Sequence, residues 1–391
     1  MATLLPYNKY YPVAYDYASQ LPVGWQLLPN ISIFQERIER GYENEELLSV
    51  TIGRGVIKQA DLDKKDSSTL DKSKYLLVYP GDLVYSMRFR QGASGYSNYK
   101  GIVSPACTVL KPRKGVKFNP RYFHYMFRSG FYKNYAERYA YGIADGQMPL
   151  RYTDFKRMYS IVPPLSVQNN IVAYLDKKNN EIDKFIRNKE RLIELVEKHK
   201  REVIREKIDS GAIEIKLKYI LRIQNGDGIS SELVKDEGEY EVFGGNGILG
   251  YFNKFNVSNE TLIIGRVGAL CGNVHYVNKK VWVNDNAMFV KTKHHNRYMY
   301  YLLLNANLNS LSFANAQPLI TGTLVKNCLT KFHNDYDNQN SVVLEIEEKL
   351  NELNMVIEKA QKEISSIKEF REALITDLVT GKRSIPQLQM I

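Results

Sequence analysis

Apolar residues recur at heptad spacing in two long stretches of this chain, and at shorter, strand-like intervals between them. The first heptad stretch covers residues 168–208. Leu175, Ile182, Lys189, Val196 and Val203 fall at every seventh position there, with Phe185 and Leu192 at the intervening one. The second covers residues 339–378. There Val343, Ile346, Leu350, Leu353, Ile357, Ala360, Ile364, Ile367, Arg371, Leu374 and Leu378 alternate steps of three and four. A stripe repeating every 3.5 residues stays turned toward one partner helix, which is the coiled-coil condition. Neither stretch contains Pro or Gly, and Gly211 and Gly381 follow them as stop signals. The spacing predicts two helices of about 60 Å each.

The two seams superpose at an offset of 171 residues. Leu175 maps to Ile346, Ile182 to Leu353, Lys189 to Ala360, Val196 to Ile367 and Val203 to Leu374. Gln168, at the head of the first stretch, maps to Gln339. A period this long indicates a duplicated globule-plus-helix unit rather than a solenoid. The expected segments are a globule over 1–166, a helix over 167–210, a second globule over 211–338, and a helix with a tail over 339–391.

Between the heptads, strand-like runs fall at residues 47–52, 75–79, 83–89 and 106–110 of the first half, followed by a helix candidate at 121–139. In the second half they fall at 217–223, 261–264, 274–277 and 287–290, with a helix candidate at 297–304. Both globules therefore read as mixed α/β. The rings of Tyr122, Phe123, Tyr125 and Phe127, with Met126, could stack on bases, but at helical spacing they are expected in the core.

Composition narrows the function. The 391 residues are 44% hydrophobic and 25% charged, ordinary for a chain that buries real cores. No run approaches 18 apolar residues and the first residues lack a signal-peptide pattern, so the expectation is a cytoplasmic protein with no membrane span. Cys107, Cys271 and Cys328 are far apart, which argues against a disulfide framework or a zinc site. With 54 Lys and Arg against 43 Asp and Glu, the net charge is +11, and 28 tyrosines accompany it. This balance suits a nucleic-acid binder. Residues 1–167 alone hold 23 basic against 14 acidic side chains. That assigns phosphate binding to the globules and leaves the helices as a frame.

Polar, glycine-rich loops lie between the strands and supply the candidate DNA contacts. In the first half these are Arg88, Arg90, Gln91, Ser94, Tyr96 and Asn98. In the second they are Asn246, within a Gly-Gly-Asn-Gly turn, then Arg266, Asn273 and His275. Arg and Asn make bidentate contacts to guanine and adenine edges, and glycine lets a backbone approach the duplex. The alternative is that these are solvated turns.

Catalytic signatures are missing. Phe243-Gly244-Gly245-Asn246-Gly247 fits the FxGxG pattern of methyl-donor sites, but no polar-Pro-Pro-aromatic motif accompanies it, so it is read as a turn. Glu214-Ile215-Lys216 has a nuclease-like spacing but is expected to follow a helix end rather than sit on a strand beside a second acid. There is no GxxxxGK[ST] loop, no HxxxH and no GxSxG, and His294-His295 suit a surface turn. The expectation is a binding protein with no catalytic residues, no metal and no cofactor.

Several stretches then carry a family resemblance: 79–85 (Tyr-Pro-Gly-Asp-Leu-Val-Tyr), 101–106, Ile161-Val162-Pro163-Pro164-Leu165 leading to Gln168, 242–247, 263–273 and 373–382. Together with the domain order, they resemble the DNA-specificity (S) subunit of type I restriction-modification systems. The resemblance implies two target-recognition domains, each reading half of a bipartite, asymmetric site in double-stranded DNA. It implies two long helices packed as an antiparallel coiled coil, in a pseudo-two-fold repeat. As partners it implies two modification (methyltransferase) subunits and restriction/translocase subunits. Where the first half has Pro163-Pro164 before its glutamine, the second has Asn334-Asp335 before Gln339, which implies a looser second joint. A divergent stand-alone methyltransferase, or a DNA-binding scaffold without catalytic partners, are the alternatives.

Overall fold

The computed structural model describes residues 4–15, 18–62, 71–139, 150–312 and 318–385. By its own packing the chain divides into two compact units. One comprises Met1–Arg187 with Glu363–Ile391, the other Asn188–Lys362. Two long helices, Leu165–Asp209 and Tyr336–Val379, each give one half to either unit.

Within each unit the helix halves run antiparallel. In the first unit Ile171, Val172 and Leu175 share a core with Leu374, Ile375, Leu378 and Val379, and further along Asp183 pairs with Arg371. In the second, Ile204 and Ile208 share a core with Val342, Val343 and Ile346, and Lys207 pairs with Glu345 at 2.6 Å. The main seam positions Leu175, Ile182, Val196 and Val203 are buried as the heptads require. Phe185, expected on the seam, is instead exposed.

Both globules are mixed α/β and share one sheet topology. In the first, an antiparallel sheet is ordered Phe34–Glu36, Thr108–Pro112, Leu83–Tyr85, Ser94–Tyr96. In the second it is ordered Leu221–Asn225, Ala287–Thr292, Thr261–Gly265, Val274–Val277. In chain order both read first, fourth, second, third. A two-stranded pair repeats as well: Tyr159–Val162 with Gln26–Pro29, and Leu329–Phe332 with Ile213–Lys216. An aromatic helix packs on each sheet, Pro120–Arg128 in the first globule and Asn296–Asn305 in the second. Tyr122, Phe123, Met126 and Phe127 are fully buried, as are Tyr298, Met299, Leu302 and Leu303, their counterparts 176 residues on.

Three sequence expectations are corrected. The helix expected over 121–139 is two helices, Pro120–Arg128 and Gly130–Glu137. Ser129 between them is extended and its side chain accepts from the Tyr132 amide, capping the second. The strand expected over 83–89 ends at Tyr85, and Phe89–Gln91 form a 3₁₀ turn closed by Gly92 in the left-handed region. Glu214-Ile215-Lys216 does lie on a strand, because the chain leaving the first long helix pairs with Leu329–Phe332. Its Glu214 faces Lys331 at 3.6 Å, not a second acid. Among the described residues no group of three metal-binding side chains gathers, and no helix is long and apolar enough to cross a membrane.

Candidate nucleic-acid interface

The loops stand on a joint built the same way twice. Gln168 is buried near the head of the first long helix. Its Oε1 accepts from the amide of Asn119, the residue that caps the aromatic helix, and its Nε2 donates to the Pro163 carbonyl at 2.8 Å. Gln339, equally buried, accepts from the amide of the corresponding cap residue, His295, and donates to the His333 carbonyl at 2.6 Å. The bonds expected to loosen at Asn334-Asp335 are therefore kept. Beside each glutamine an arginine of the aromatic helix crosses to the long helix: Arg121 to Asp176 at 2.5 Å, Arg297 to Glu347 at 2.6 Å. Tyr125 and Tyr301 donate to the same carboxylates. Each guanidinium also lies over a sheet tyrosine, Tyr96 at 5.5 Å and Tyr276 at 4.5 Å.

In the first globule Arg88 and Gln91 are exposed on the loop, and Arg90, also exposed, pairs with Glu137 at 2.8 Å. Asn98 is exposed further along, whereas Ser94 is buried beneath the loop and Tyr96 is half-buried. Arg128, the last residue of the aromatic helix, holds the loop from below. Its guanidinium donates to the carbonyls of Gly92 (3.1 Å), Ser94 (3.0 Å), Ile52 (2.7 Å) and Gly53 (2.8 Å), tying two loops to one planar fork. Next to it His124 packs against Gly55 and Gly95, with its Nδ1 buried and without a partner. Burial, aided by the Arg128 and Arg121 charges, pushes its pKa down to about 3, so the ring is neutral.

In the second globule the Gly244–Gly247 segment turns a hairpin between strands Tyr240–Gly244 and Gly247–Phe252, and Asn246 is exposed at its tip. Gly247 has φ +101°, a conformation that favours glycine. The turn is seated on the next strand by glycine alone: a Cβ on Gly265 would lie 2.0 Å from the Gly245 carbonyl oxygen. Arg266 follows at once, half-buried, its Nη1 donating to the Asp285 carbonyl at 3.0 Å. Asn273 accepts from the Asn309 side chain at 3.1 Å. His275 is half-buried against Gly247, and burial lowers its pKa.

Residues 211–329, the stretch that holds this hairpin, match the family described as Type I restriction modification DNA specificity domain. A curated relative, the Type I restriction enzyme EcoprrI specificity subunit of Escherichia coli, is 33% identical over 105 residues, covering 25% of this chain and 26% of the relative. The match thus spans about a quarter of that protein's length. Across the chain, the fold is similar to one in a structure concerned with complex assembly and conformational transition of the type I R-M system. The TM-score there is 0.72 at 14% identity, over 93% of this chain and 99% of that one. It is also similar to the HsdS subunit from Thermoanaerobacter tengcongensis, at TM-score 0.52 and 13% identity, over 95% of this chain and 99% of that one. Over most of its length the chain therefore shares the fold of these solved structures.

Within residues 211–329 the hairpin turn lies against Gly265, the neighbour of Arg266, and against His275, while Asn273 lies beside a small hollow that it shares with His275. In the first globule Arg88, Arg90 and Gln91 gather on one turn, and Ser94 faces inward. Sequence reasoning missed Arg128, for which no local pattern exists. It also missed the Arg121–Asp176 and Arg297–Glu347 pairs, although a signal was present: the 171-residue shift that aligns the seams carries Asp176 onto Glu347.

Proposed function

We propose that this chain is the non-catalytic specificity subunit of a type I restriction-modification complex. Each globule reads one half of a bipartite, asymmetric site in double-stranded DNA, and the long helices dock two methyltransferase subunits, which restriction/translocase subunits join, in the cytoplasm. The carrying observation is the duplicated frame, with matching sheet order and matching joints, that presents unlike loops in its two copies. A repeated frame with individual loops suits a reader of two different half-sites. Arg88, Arg90, Gln91, Tyr96 and Asn98 are the first domain's candidate contacts. Asn246, Arg266, Asn273 and His275 are the second's. Ser94 supports the first loop from within rather than touching DNA.

Methylome sequencing of cells carrying this chain with its methyltransferase tests the reading. The expected result is one methylated motif made of two defined halves and an unread gap. Arg88→Ala should relax the first half only and Asn246→Ala the second only, each lost base contact being worth about 1–3 kcal/mol. An ungapped motif, or both halves relaxing together, would overturn it.

A further inference from the structure

A hollow of about 770 Å³ opens in the second unit between the specificity domain and the long helices. One wall carries the hairpin tip, Asn246 with Ile248, and next to it Arg297 and Tyr300 of the aromatic helix. The opposite wall is the first long helix, where Glu197, Lys200, Arg201 and Ile204 share a face at helical spacing. Leu350 and Asn354 of the second long helix complete it.

Its charges are unevenly compensated. Arg297 is held by Glu347, and Lys200 lies 3.2 Å from Glu197. Arg191 and Arg205, elsewhere on the same helix, are each paired with a glutamate one turn away. Arg201 is exposed, and among the described residues it has no such partner. An unpaired guanidinium and an ammonium thus face the tip that carries Asn246, across a space open to solvent. Protein–DNA interfaces spend half or more of their hydrogen bonds on phosphate and sugar, and these contacts set the register in which base-reading groups act.

Resting on the DNA-reading assignment above, we propose that Lys200 and Arg201 form a phosphate-binding wall for the duplex engaged by the Asn246 hairpin. The first long helix is then part of the DNA site and not only its frame. This reverses the expectation drawn from charge totals, which placed phosphate binding in the globules. The net charge of the helix is small because it carries nearly as many acidic as basic side chains; what matters is the face that Lys200 and Arg201 share.

The test compares two double variants of the full chain that remove equal charge: Lys200→Gln/Arg201→Gln at the hollow and Arg187→Gln/Arg191→Gln, more than two turns earlier on the same helix and outside the hollow's lining. Gln preserves helix propensity, and thermal unfolding checks that each variant folds. Binding to a fluorescein-labelled DNA duplex is followed by anisotropy over a range of salt, with the methylated motif and with a scrambled duplex. Each lost phosphate contact removes about 0.9 from the slope of log affinity against log salt. The hollow variant should lower the slope by about 1–2 and weaken both duplexes alike, while the control changes it little. Arg201→Gln alone, at an exposed position, should give about half that effect. An unchanged slope overturns the proposal, and so does an equal fall in the control, which would mean a diffuse field. Weakening confined to the motif duplex would also overturn it, since it would make these residues base readers. If the wild-type chain prefers neither duplex, the specificity reading fails, yet the slopes still decide the wall.

Discussion

The two globules solve one problem with different chemistry. Each must hold a polar loop rigidly enough to present side chains outward. The first uses a charge: Arg128 gathers four carbonyls of two loops on one guanidinium, with His124 packed neutral beside it. The second uses the absence of side chains, seating the Gly244–Gly247 turn directly on Gly265. No arginine could take the Arg128 role there, because Leu304 stands at the corresponding helix position. Below the loops the two halves agree closely, in sheet order, in the buried glutamine and in the Arg–carboxylate bridge. The part that orients the domain is common to both copies, and the part that presents the exposed loop is built separately in each.

Disturbing each device should injure one half only. The largest effect is expected for Gly265→Ala, because a methyl group cannot occupy a point 2.0 Å from the Gly245 oxygen without moving backbone. A loss on the order of 3 kcal/mol is expected from such strain. It should appear as a lower unfolding temperature and loss of second-half reading, with the first half intact. Gly95→Ala in the first domain should be milder, since the nearest atom to its new Cβ is Gly55 Cα at 3.0 Å.

Next comes Arg128→Gln, which strands carbonyls of both first-domain loops and should cost about 2 kcal/mol. The distinguishing readout is methylation specificity: the first half-site should relax while the second stays sharp. Arg128→Lys should rescue it in part, because an ammonium keeps the charge but cannot span the fork.

The His124 ring supplies a pH dependence. In the unfolded chain it takes up a proton near pH 6.5, whereas in the fold it resists until about 3. Stability present above pH 6.5 is therefore lost as the pH falls, by about 2 kcal/mol at pH 5. His124→Gln should flatten the denaturant-measured stability of the protein between pH 6.5 and 5 relative to wild type. An unaltered slope would show that the ring titrates normally.

The smallest effect is expected at the shared bridges. Arg297 and Glu347 are each more than a third exposed, so solvent screens them, and a double-mutant cycle should return no more than about 1 kcal/mol. The Arg121–Asp176 cycle should match it if the joints are equivalent. A large difference between the two would show that the joints are not equivalent.

The long helices were readable from spacing, because a heptad stripe has few physical meanings and the offset of 171 named the duplication. The strands of the second globule's hairpin, Tyr240–Gly244 and Gly247–Phe252, were not. Their glycines read as a loop, since nothing local distinguishes a turn in water from one seated on a neighbouring strand. Among candidate contacts, the exposed Arg88, Gln91, Asn98 and Asn246 kept open positions, whereas Ser94 turned inward because alternation along a short strand decides which side chain faces the core. The aromatic helix was recognised as core, but its break at Ser129, whose hydroxyl accepts from the Tyr132 amide and donates to the Met126 carbonyl, leaves no mark in the apolar spacing.

The sequence by itself determined the features that repeat with a period: two long helices, a duplicated α/β globule, and the glutamine in the first turn of each helix. Periodic patterns survive because many residues vote for each one through burial. Only the tertiary structure decided that Arg128 clamps the first loop, that Gly265 bears the second, and that Lys200 and Arg201 look across a hollow at Asn246. Each of these joins residues distant in sequence through one or two contacts, and a contact of that kind leaves no periodic trace along the chain.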